Sequence, residues 1–432
     1  MSLQESTMTD LNTSSSDCSK PGIKRQCRFC GETLKFTFVD LGMSPLANSY
    51  LKADQLQRME PFYPLHAYVC HRCFLVQLEE FENPDHIFSD YAYFSSYSES
   101  YLAHAKSYTQ LMIERFDFGP TSHIVEIASN DGYLLQYFQD KDIPVLGIEP
   151  AANVAEVAKE KGIPTLVKFF GVETAKELVG QKKQADLLLG NNVLAHVPDL
   201  NDFVGGMKIL LSPNGVITME FPHLKRLFED VLIDTIYHEH FSYFSFLVVE
   251  KVFAKHGLRL FDVEQISTHG GSLRIYATHE ENLSHSLNDR VMALRETEKT
   301  AGLSQLESYL SFEGKVGAVK ISLLEFLIEA KKKELSVVGY GAPAKAITLL
   351  NYCGIRSDLL AYTVDKSPHK QGCFLPGTKI PIYPPDKIRE TKPNYVVILP
   401  WNLKDEVMDQ MAYIREWGGK FVTPIPEVTV HS

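Results

Sequence analysis

The sequence predicts an α/β protein in which a small N-terminal module precedes two larger domains, each built on a mostly parallel sheet. The chain has 432 residues, enough for about three domains at roughly 150 residues each. Apolar strands alternate with helical segments over residues 121–224 and again over 335–399, as is typical of helices packed on a parallel sheet. Two close cysteine pairs mark the N-terminal module.

The composition excludes several classes of protein. Apolar residues make up 44% of the chain, which is enough to fill hydrophobic cores and excludes a wholly disordered protein. The formal net charge is −11, so the chain lacks the basic excess that nucleic acids and anionic membranes attract. Neither a signal-like N-terminus nor a membrane-length apolar run occurs. We therefore expect a cytoplasmic protein that binds no nucleic acid and no membrane, with the oligomeric state left open.

The N-terminal part predicts a metal site. Residues 1–22, rich in Ser, Thr and Asp, predict a disordered tail, and the module is predicted over residues 23–88. Its four cysteines form two CxxC pairs, Cys27 with Cys30 and Cys70 with Cys73. Two such turns brought together supply the tetrahedral thiolate set of a structural zinc ion. Thiols without metal, or redox-active thiols, are the alternative.

The central domain, predicted over residues 89–300, begins with a candidate nucleotide site. Its first strand ends in E-I-A-S-N-D-G, residues 126–132, and the next strand ends at Glu149, one βαβ unit later. In such folds a glycine turn approaches the ligand and the second acid binds ribose hydroxyls. One glycine instead of three favours S-adenosylmethionine over a dinucleotide, and an ordinary α/β turn is the alternative. The candidate cofactor-binding residues are Glu126, Ala128, Asn130, Gly132, Glu149, Pro150, Asn191 and Asn192.

The densest group of proton-transferring side chains lies in the tract Y-H-E-H-F-S-Y, residues 237–243. An imidazole titrates close to cellular pH, so His240 beside Glu239 and Tyr237 suits proton abstraction next to a carbonyl group. The tyrosine would donate a hydrogen bond to the enolate oxygen. His196 follows an apolar strand and is expected at the ligand crevice. A metal-binding His-x-His pair, or exposed residues without a role, are the alternatives.

Two further segments supply candidates for substrate binding. Ser272 and Arg274 follow a pair of glycines, and Tyr93 lies in a tyrosine-rich stretch before the central domain's first strand. A second strand–turn–helix start, G-Y-G-A-P-A-K over residues 339–345, introduces the C-terminal domain's sheet. The amides of Tyr340, Gly341 and Ala342, together with Lys345, suit a diphosphate, although this turn could also indicate NAD. That domain is predicted over residues 301–432.

Taken in order, these motifs resemble the nucleotide-sugar C-methyltransferases. The resemblance rests on the paired CxxC motifs, E-I-A-S-N-D-G, G-I-E-P-A, Y-H-E-H-F-S-Y, H-G-G-S-L-R and G-Y-G-A-P-A-K. It implies a zinc-binding module, a central class I methyltransferase domain that binds S-adenosylmethionine, and a Rossmann-like C-terminal domain. It also implies an NDP-linked 4-keto-deoxyhexose, dTDP- or GDP-linked, held between the last two domains.

The resemblance also implies residue roles. His240 matches the general base, Glu239 its partner and Tyr237 the enolate-stabilising phenol. His196 and Tyr91 match further active-site groups, although Tyr93 could take the place of Tyr91. The expected reaction places a methyl group on the carbon next to the keto group, C3 rather than C5. An NAD-dependent nucleotide-sugar oxidoreductase, or a non-catalytic zinc- and nucleotide-sugar-binding protein, are the alternatives.

Overall fold

A computed structural model describes residues 25–81 and 95–432 of the chain. Its strands form three separate sheets of four, seven and six members. The predicted α/β class is confirmed. The predicted tail, residues 1–22, lies outside the described residues. Within those residues, no helix combines the length and the apolar character needed to cross a membrane.

The strands and helices are numbered here along the chain. The strands are β1 (Phe36–Ser44), β2 (Tyr63–Val69), β3 (Val76–Leu78), β4 (Ile124–Ile127), β5 (Val145–Ile148), β6 (Thr165–Leu166), β7 (Ala185–Asn191), β8 (Leu211–Pro222), β9 (Ser242–Tyr243), β10 (Leu258–Ile266), β11 (Ser272–His279), β12 (Val337–Tyr340), β13 (Thr363–Val364), β14 (Ile382–Tyr383), β15 (Tyr395–Ile398), β16 (Lys420–Thr423) and β17 (Thr429–His431). The helices are α1 (Glu99–Phe116), α2 (Leu135–Gln139), α3 (Ala152–Glu160), α4 (Val172–Gly180), α5 (Leu200–Leu210), α6 (Leu224–Glu229), α7 (Phe246–Lys255), α8 (Asp289–Thr300), α9 (Leu306–Leu310), α10 (Phe312–Lys332), α11 (Ala344–Cys353), α12 (Lys387–Thr391) and α13 (Lys404–Gln410).

The N-terminal module is an antiparallel sheet in the order β1-β2-β3-β9. Its fourth strand, β9, comes from the histidine-rich tract and pairs Tyr243 with Val76 of β3. The sheet therefore takes a strand from well outside the predicted span 23–88. This pairing ties the module to the tract that carries the candidate catalytic residues.

The central sheet has the order β10-β11-β8-β7-β4-β5-β6. Strands β4 to β8 run parallel, whereas β11 is antiparallel to both β8 and β10. The chain begins in the middle of this sheet and builds it outward in both directions, so the order reverses between β4 and β7. The carboxyl ends of these two strands diverge there, and the resulting crevice is where open α/β sheets bind ligands.

The C-terminal sheet has the order β14-β13-β12-β15-β16-β17, with β17 antiparallel and the other strands parallel. The chain enters this sheet in the middle, at β12, and adds strands on both sides, which makes it a second Rossmann-like sheet. The predicted glycine turn follows β12 directly. Its carboxyl edge therefore faces the same part of the molecule as the crevice of the central sheet.

One hydrophobic core joins the N-terminal module to the C-terminal part of the chain. Phe38 of β1 stacks on Phe312 of α10, with ring centroids 4.5 Å apart, and Phe312 also contacts Phe228 of α6. The buried side of α10 recurs every three or four residues, as an amphipathic helix requires; it comprises Phe312, Val316, Val319, Leu323, Leu327 and Ala330. The boundaries predicted at 88 and 300 thus border a shared core, and the division into 23–88, 89–300 and 301–432 stays a prediction.

We predict that Phe312→Ala lowers the free energy of unfolding by about 3–5 kcal/mol, because a fully buried ring is removed from this shared core. Denaturant unfolding measures the change. Ile321→Ala on the same helix is the matched control, since Ile321 is 58% exposed and its loss should cost little. Equal effects of the two substitutions would contradict the prediction.

Candidate functional site

A cavity of about 650 Å³ lies at the carboxyl edge of the central sheet. The N-terminal module, the central domain and the start of α11 all contribute to its wall. It brings together most of the residues selected from the sequence, namely Ala128, Asn130, Glu149, Pro150, Asn191, Asn192, His196, Tyr237, Glu239, His240 and Lys345. Groups from both predicted nucleotide turns therefore meet in one space.

The turn after β4 forms one wall of the cavity in an unusual backbone conformation. Ala128 and Asn130 have φ values of 57° and 50°, in the left-handed region that costs a side-chain-bearing residue about 1–3 kcal/mol. The Glu149 carboxylate holds the turn, because its Oε2 accepts from the Asn130 amide at 2.9 Å and its Oε1 from the Ala151 amide at 2.8 Å. Burial raises the Glu149 pKa, which these two hydrogen bonds oppose.

Two of the predicted cofactor-binding residues support this turn from behind. Gly132 has a φ of +74°, and a Cβ there would lie 2.9 Å from Ile163 Cγ1, so only glycine fits. Glu126 is buried under the turn, and burial, with Glu149 and Asp131 nearby, raises its pKa well above the ordinary value. Neither residue is among those that line the cavity. Their contribution is to the shape of the turn.

Two asparagines at the end of β7 form the neighbouring wall. The Asn191 side chain is 8% exposed, and its amide atoms have no hydrogen-bond partner among the described residues. Asn192, with a φ of 57°, donates to Tyr101 Oη at 3.1 Å and lies 3.2 Å from His269 Nε2. Buried polar atoms are normally paired, so unpaired amide atoms at a cavity wall indicate a polar ligand. This chemistry fits S-adenosylmethionine.

Sequence reasoning missed three residues of this wall, Tyr101, Tyr133 and His269. The rings of Tyr101 and Tyr133 stack at 4.9 Å. Tyr101 is the last tyrosine of the stretch that was noted in the sequence. His269 is the first residue of H-G-G-S-L-R, a motif in which only the later Ser272 and Arg274 were selected.

His240 lies in the cavity wall with its protonation pattern set by the backbone. Its Nδ1 is 2.8 Å from the Thr235 carbonyl oxygen, which can only accept, so Nδ1 carries the hydrogen and Nε2 is the basic nitrogen. Burial, with His196 beside it, lowers the His240 pKa well below the ordinary value. The His196 ring lies 4.7 Å away and the Tyr237 ring 4.0 Å away. A neutral imidazole therefore stands next to a phenol and a second imidazole.

Glu239 points to a different partner from the one expected. Its Oε1 accepts a hydrogen bond from Asn48 Nδ2 at 2.6 Å, whereas the group that orients His240 is the Thr235 carbonyl. Burial raises the Glu239 pKa to about 7, and the Asn48 hydrogen bond opposes this shift. Asn48 belongs to the N-terminal module, and nothing in its sequence surroundings marked it as a site residue.

Lys345 lies where the C-terminal domain meets the cavity. Its Nζ donates to Asn402 Oδ1 at 2.9 Å and lies 4.6 Å from the centre of the Trp401 ring. Trp401 in turn donates to Asp234 Oδ2 at 2.7 Å. Burial lowers the Lys345 pKa, and the Asp234 charge opposes this shift. A cation is thus held at the cavity by residues of both domains.

The other residues of the second turn, over residues 339–345, make contacts within the protein. The Ala342 amide donates to Asp365 Oδ2 at 2.7 Å, and its carbonyl accepts from Tyr50 and Lys370. The Asp365 carboxylate therefore holds this turn in the same way as Glu149 holds the turn after β4. Gly341 has a φ of +88° and packs against Pro400. The Tyr340 ring packs in the core on the sheet's other face.

Two further substrate candidates, Arg274 and Ser272, lie away from the cavity. The Arg274 guanidinium is buried and pairs with Glu220 at 2.7 Å and Glu264 at 3.0 Å, which leaves it committed to the structure of the central sheet. Ser272 lines a separate cavity of about 660 Å³ between β11 and the C-terminal domain. Tyr91 and Tyr93 lie outside the described residues.

The four predicted cysteine ligands come together in the N-terminal module. Their Sγ atoms all lie within 4.8 Å of one another, with 3.5 Å between Cys27 and Cys73 and between Cys30 and Cys70. A zinc ion with bonds of about 2.3 Å to four sulfurs requires sulfurs about 3.8 Å apart, so the set fits a tetrahedral zinc site. Gln77 Nε2 also donates to Cys27 Sγ at 3.2 Å.

The sheet order, the cavity and the cysteine cluster define a methyltransferase that uses S-adenosylmethionine and carries a zinc-binding module. Three family profiles match the chain: a zinc binding domain over residues 27–88, a methyltransferase domain over 101–263 and a C-methyltransferase C-terminal domain over 267–426. C-methyltransferase NovU of Streptomyces niveus is 33% identical over 407 residues, which cover 94% of this chain and 97% of that protein. The chain belongs to the C-methyltransferase family.

Solved structures overlap with smaller parts of the chain. The PH0226 protein from Pyrococcus horikoshii OT3 is 15% identical, with a TM-score of 0.36, over 46% of this chain and 99% of that one. Magnesium protoporphyrin IX methyltransferase (ChlM) from Synechocystis PCC 6803 with bound SAM is 13% identical, with a TM-score of 0.31, over 41% of this chain and 79% of that one. The family profiles and the similarity to NovU confirm the predicted enzyme class, its cofactor and the zinc-binding module.

We predict that Cys73→Ser removes the bound zinc and lowers the melting temperature, because a four-thiolate site holds together the two CxxC turns of the module and its binding free energy contributes to folding. Metal analysis of the purified protein and thermal unfolding measure both effects. Cys353→Ser is the control, since Cys353 is a buried cysteine outside the cluster and its substitution should leave the zinc content unchanged. Full zinc occupancy in Cys73→Ser would contradict the prediction.

Proposed function

We propose that this enzyme transfers a methyl group from S-adenosylmethionine to the carbon next to the keto group of an NDP-linked 4-keto-deoxyhexose, with C3 as the methylated carbon. The observation that carries the proposal is the neutral, buried His240, whose Nε2 is basic, beside Tyr237 in the cavity that also contains the turn after β4. Carbon methylation needs a base that creates a carbanion, and these residues supply one.

The cofactor would occupy the wall formed by the ends of β4, β5 and β7. Glu149 closes β5, where an acid accepts hydrogen bonds from ribose hydroxyls, and Asn130, Pro150, Asn191 and Asn192 surround it. When bound, S-adenosylmethionine supplies an electrophilic methyl group on a positively charged sulfur. The strained backbone of Ala128 and Asn130 allows the chain to approach this ligand closely.

His240 would start the reaction. A hydrogen on the carbon next to a ketone is acidified, and His240 Nε2 takes it while the electron pair moves onto the keto oxygen. Tyr237 would donate a hydrogen bond to that oxygen, and His196, whose ring lies 4.7 Å from that of His240, would assist. The carbanion would then form a carbon–carbon bond to the methyl carbon while the bond from that carbon to sulfur breaks, so that the sulfur keeps the electron pair and S-adenosylhomocysteine leaves. The imidazolium returns its proton to water after product release.

The nucleotide part of the acceptor would lie toward the C-terminal domain. Lys345 offers the cavity a cationic group and sits at the start of α11, so we assign it to the diphosphate. The carrier would be dTDP or GDP. By the family resemblance, Tyr91, or Tyr93 in its place, would be a further active-site group.

We predict that His240→Asn lowers turnover by about 10²–10⁴-fold, because the general base is lost. With the variant, a dTDP-linked 4-keto-6-deoxyhexose incubated in D₂O should no longer exchange the hydrogen on the carbon next to the keto group. NMR follows this exchange. Binding of S-adenosylhomocysteine should persist. His238→Asn is the matched control, since His238 lies in the same tract outside the cavity wall. Undiminished exchange in His240→Asn would reject His240 as the base.

We predict that Glu149→Gln weakens S-adenosylhomocysteine binding by about tenfold, because a charged acceptor for the ribose hydroxyls contributes about 1.5–3 kcal/mol and glutamine retains part of it. Isothermal titration calorimetry measures the affinity. Glu126→Gln is the control: its carboxyl group is buried behind the turn with a raised pKa, so a neutral amide should change the affinity little. Unchanged affinity in Glu149→Gln would place the ribose elsewhere.

A further inference from the structure

Asn48 is the point at which the zinc-binding module reaches the catalytic tract. It lines the cavity together with Glu239, Tyr237 and His240, and its Nδ2 donates to Glu239 Oε1 at 2.6 Å. Glu239 is 4% exposed. A buried carboxyl group that accepts a hydrogen bond from a side-chain amide is fixed in direction.

We propose that Asn48 is a positioning residue for methyl transfer: its side-chain amide holds the Glu239 carboxyl group in the cavity wall, so that the zinc-binding module takes part in building the active site. This inference rests on the proposed function. The module then has a second role besides folding, because one of its side chains determines where a substrate-facing acid lies.

Contacts with the C-terminal domain hold the segment around Asn48 in place. Asn48 lies in the connection between β1 and β2, and the residues after it dock on the C-terminal domain. Tyr50 Oη donates to the Ala342 carbonyl at 2.6 Å, and Leu51 forms an antiparallel bridge with Phe374. Ala47, on the other side, is buried in the shared core. The Asn48 backbone is therefore anchored on both sides.

Glu239 is fixed from the opposite side. The strand that follows it, β9, pairs with β3 of the module, and the Phe241 carbonyl accepts from the Leu78 amide at 3.0 Å. The module therefore contacts the tract at two places: strand β3 pairs with β9, and the Asn48 side chain binds Glu239. A carboxyl group positioned in this way can accept a hydrogen bond from a hydroxyl or amino group of the acceptor sugar.

The Asn48 hydrogen bond also affects proton binding by Glu239. Burial raises the Glu239 pKa to about 7, and Asn48 lowers it, since a donor favours the ionised form. Loss of this donor should therefore raise the pKa further. Tyr50 interacts electrostatically with this carboxyl, and the titratable groups that share the cavity wall with it include His196, Tyr237, His240, His269, Lys345 and Lys370; all are retained in the test variant.

The first test needs no acceptor. Infrared difference spectra of the zinc-loaded enzyme at pH 7, with Glu239→Gln as the reference that removes the band, report the protonated fraction of Glu239. Asn48→Ala should increase that fraction relative to the wild type. Ser49→Ala, the neighbouring exposed residue outside the cavity wall, should not. An unchanged fraction in Asn48→Ala would overturn the proposal, whatever the enzyme methylates.

The second test is a double-mutant cycle on methyl transfer to a dTDP-linked 4-keto-6-deoxyhexose. Asn48→Ala should lower kcat/KM for the acceptor by about tenfold, as expected for a lost charge-assisted hydrogen bond, with zinc content and the Kd for S-adenosylhomocysteine unchanged. In the Glu239→Gln background the same substitution should have little further effect. An equal loss in both backgrounds would show that Asn48 does not act through Glu239. Wild-type enzyme inactive on both the dTDP-linked and the GDP-linked sugar would reject the proposed function alone, and the infrared result would still decide on Asn48.

Discussion

The active site depends on one constraint, that residues 233–243 are held in place by hydrogen bonds from both flanking parts of the chain. From the C-terminal side, Trp401 donates to Asp234, and Thr348 donates to the Ile236 carbonyl at 2.8 Å. From the N-terminal side, Asn48 binds Glu239 and strand β3 pairs with β9. This segment, which includes the tract over residues 237–243, belongs to the central part of the chain, but the N-terminal module and the C-terminal domain determine its path. Thr235 is held between these contacts, and its carbonyl sets the tautomer of His240.

The zinc site is linked to that constraint through Gln77. Gln77 donates to the Cys27 sulfur, accepts from the Arg28 amide, and is the Cα partner of Ser242 in β9. Arg28 extends the link, since its guanidinium lies over the Phe241 ring and donates to the Pro198 carbonyl. A thiolate cluster about the metal therefore stabilises the strand to which the catalytic tract is attached. This gives a structural reason for a closed metal site in an enzyme whose chemistry needs no metal in the proposed mechanism.

Enclosure by three parts of the chain also determines the charges in the cavity. Burial penalises ionised forms, and it lowers the pKa of His196 to about 4 and of His240 well below its usual value. The imidazoles are therefore neutral at pH 7 and available to accept a proton. The same burial raises the pKa of Glu239 to about 7. The cavity therefore contains neutral imidazoles beside a carboxyl group that is partly protonated at pH 7.

The sequence by itself determined the α/β class and the four cysteines, because these depend on local patterns: strand–turn–helix spacing and paired CxxC turns. A single glycine in the first turn favoured the cofactor, and the enzyme class followed from the resemblance of the short motifs to a known family. The sequence also selected most of the residues that line the cavity. Only the tertiary structure decided what each group contacts. The donation from Asn48 to Glu239 and the engagement of Asp365 by the Ala342 amide join residues far apart in the chain, and the pairing of β9 with the N-terminal module does the same. Arg274 was selected as a substrate ligand from its position after two glycines, but Glu220 and Glu264 neutralise it. Local spacing carries no information about such partners, since they are set by how separately formed sheets pack together.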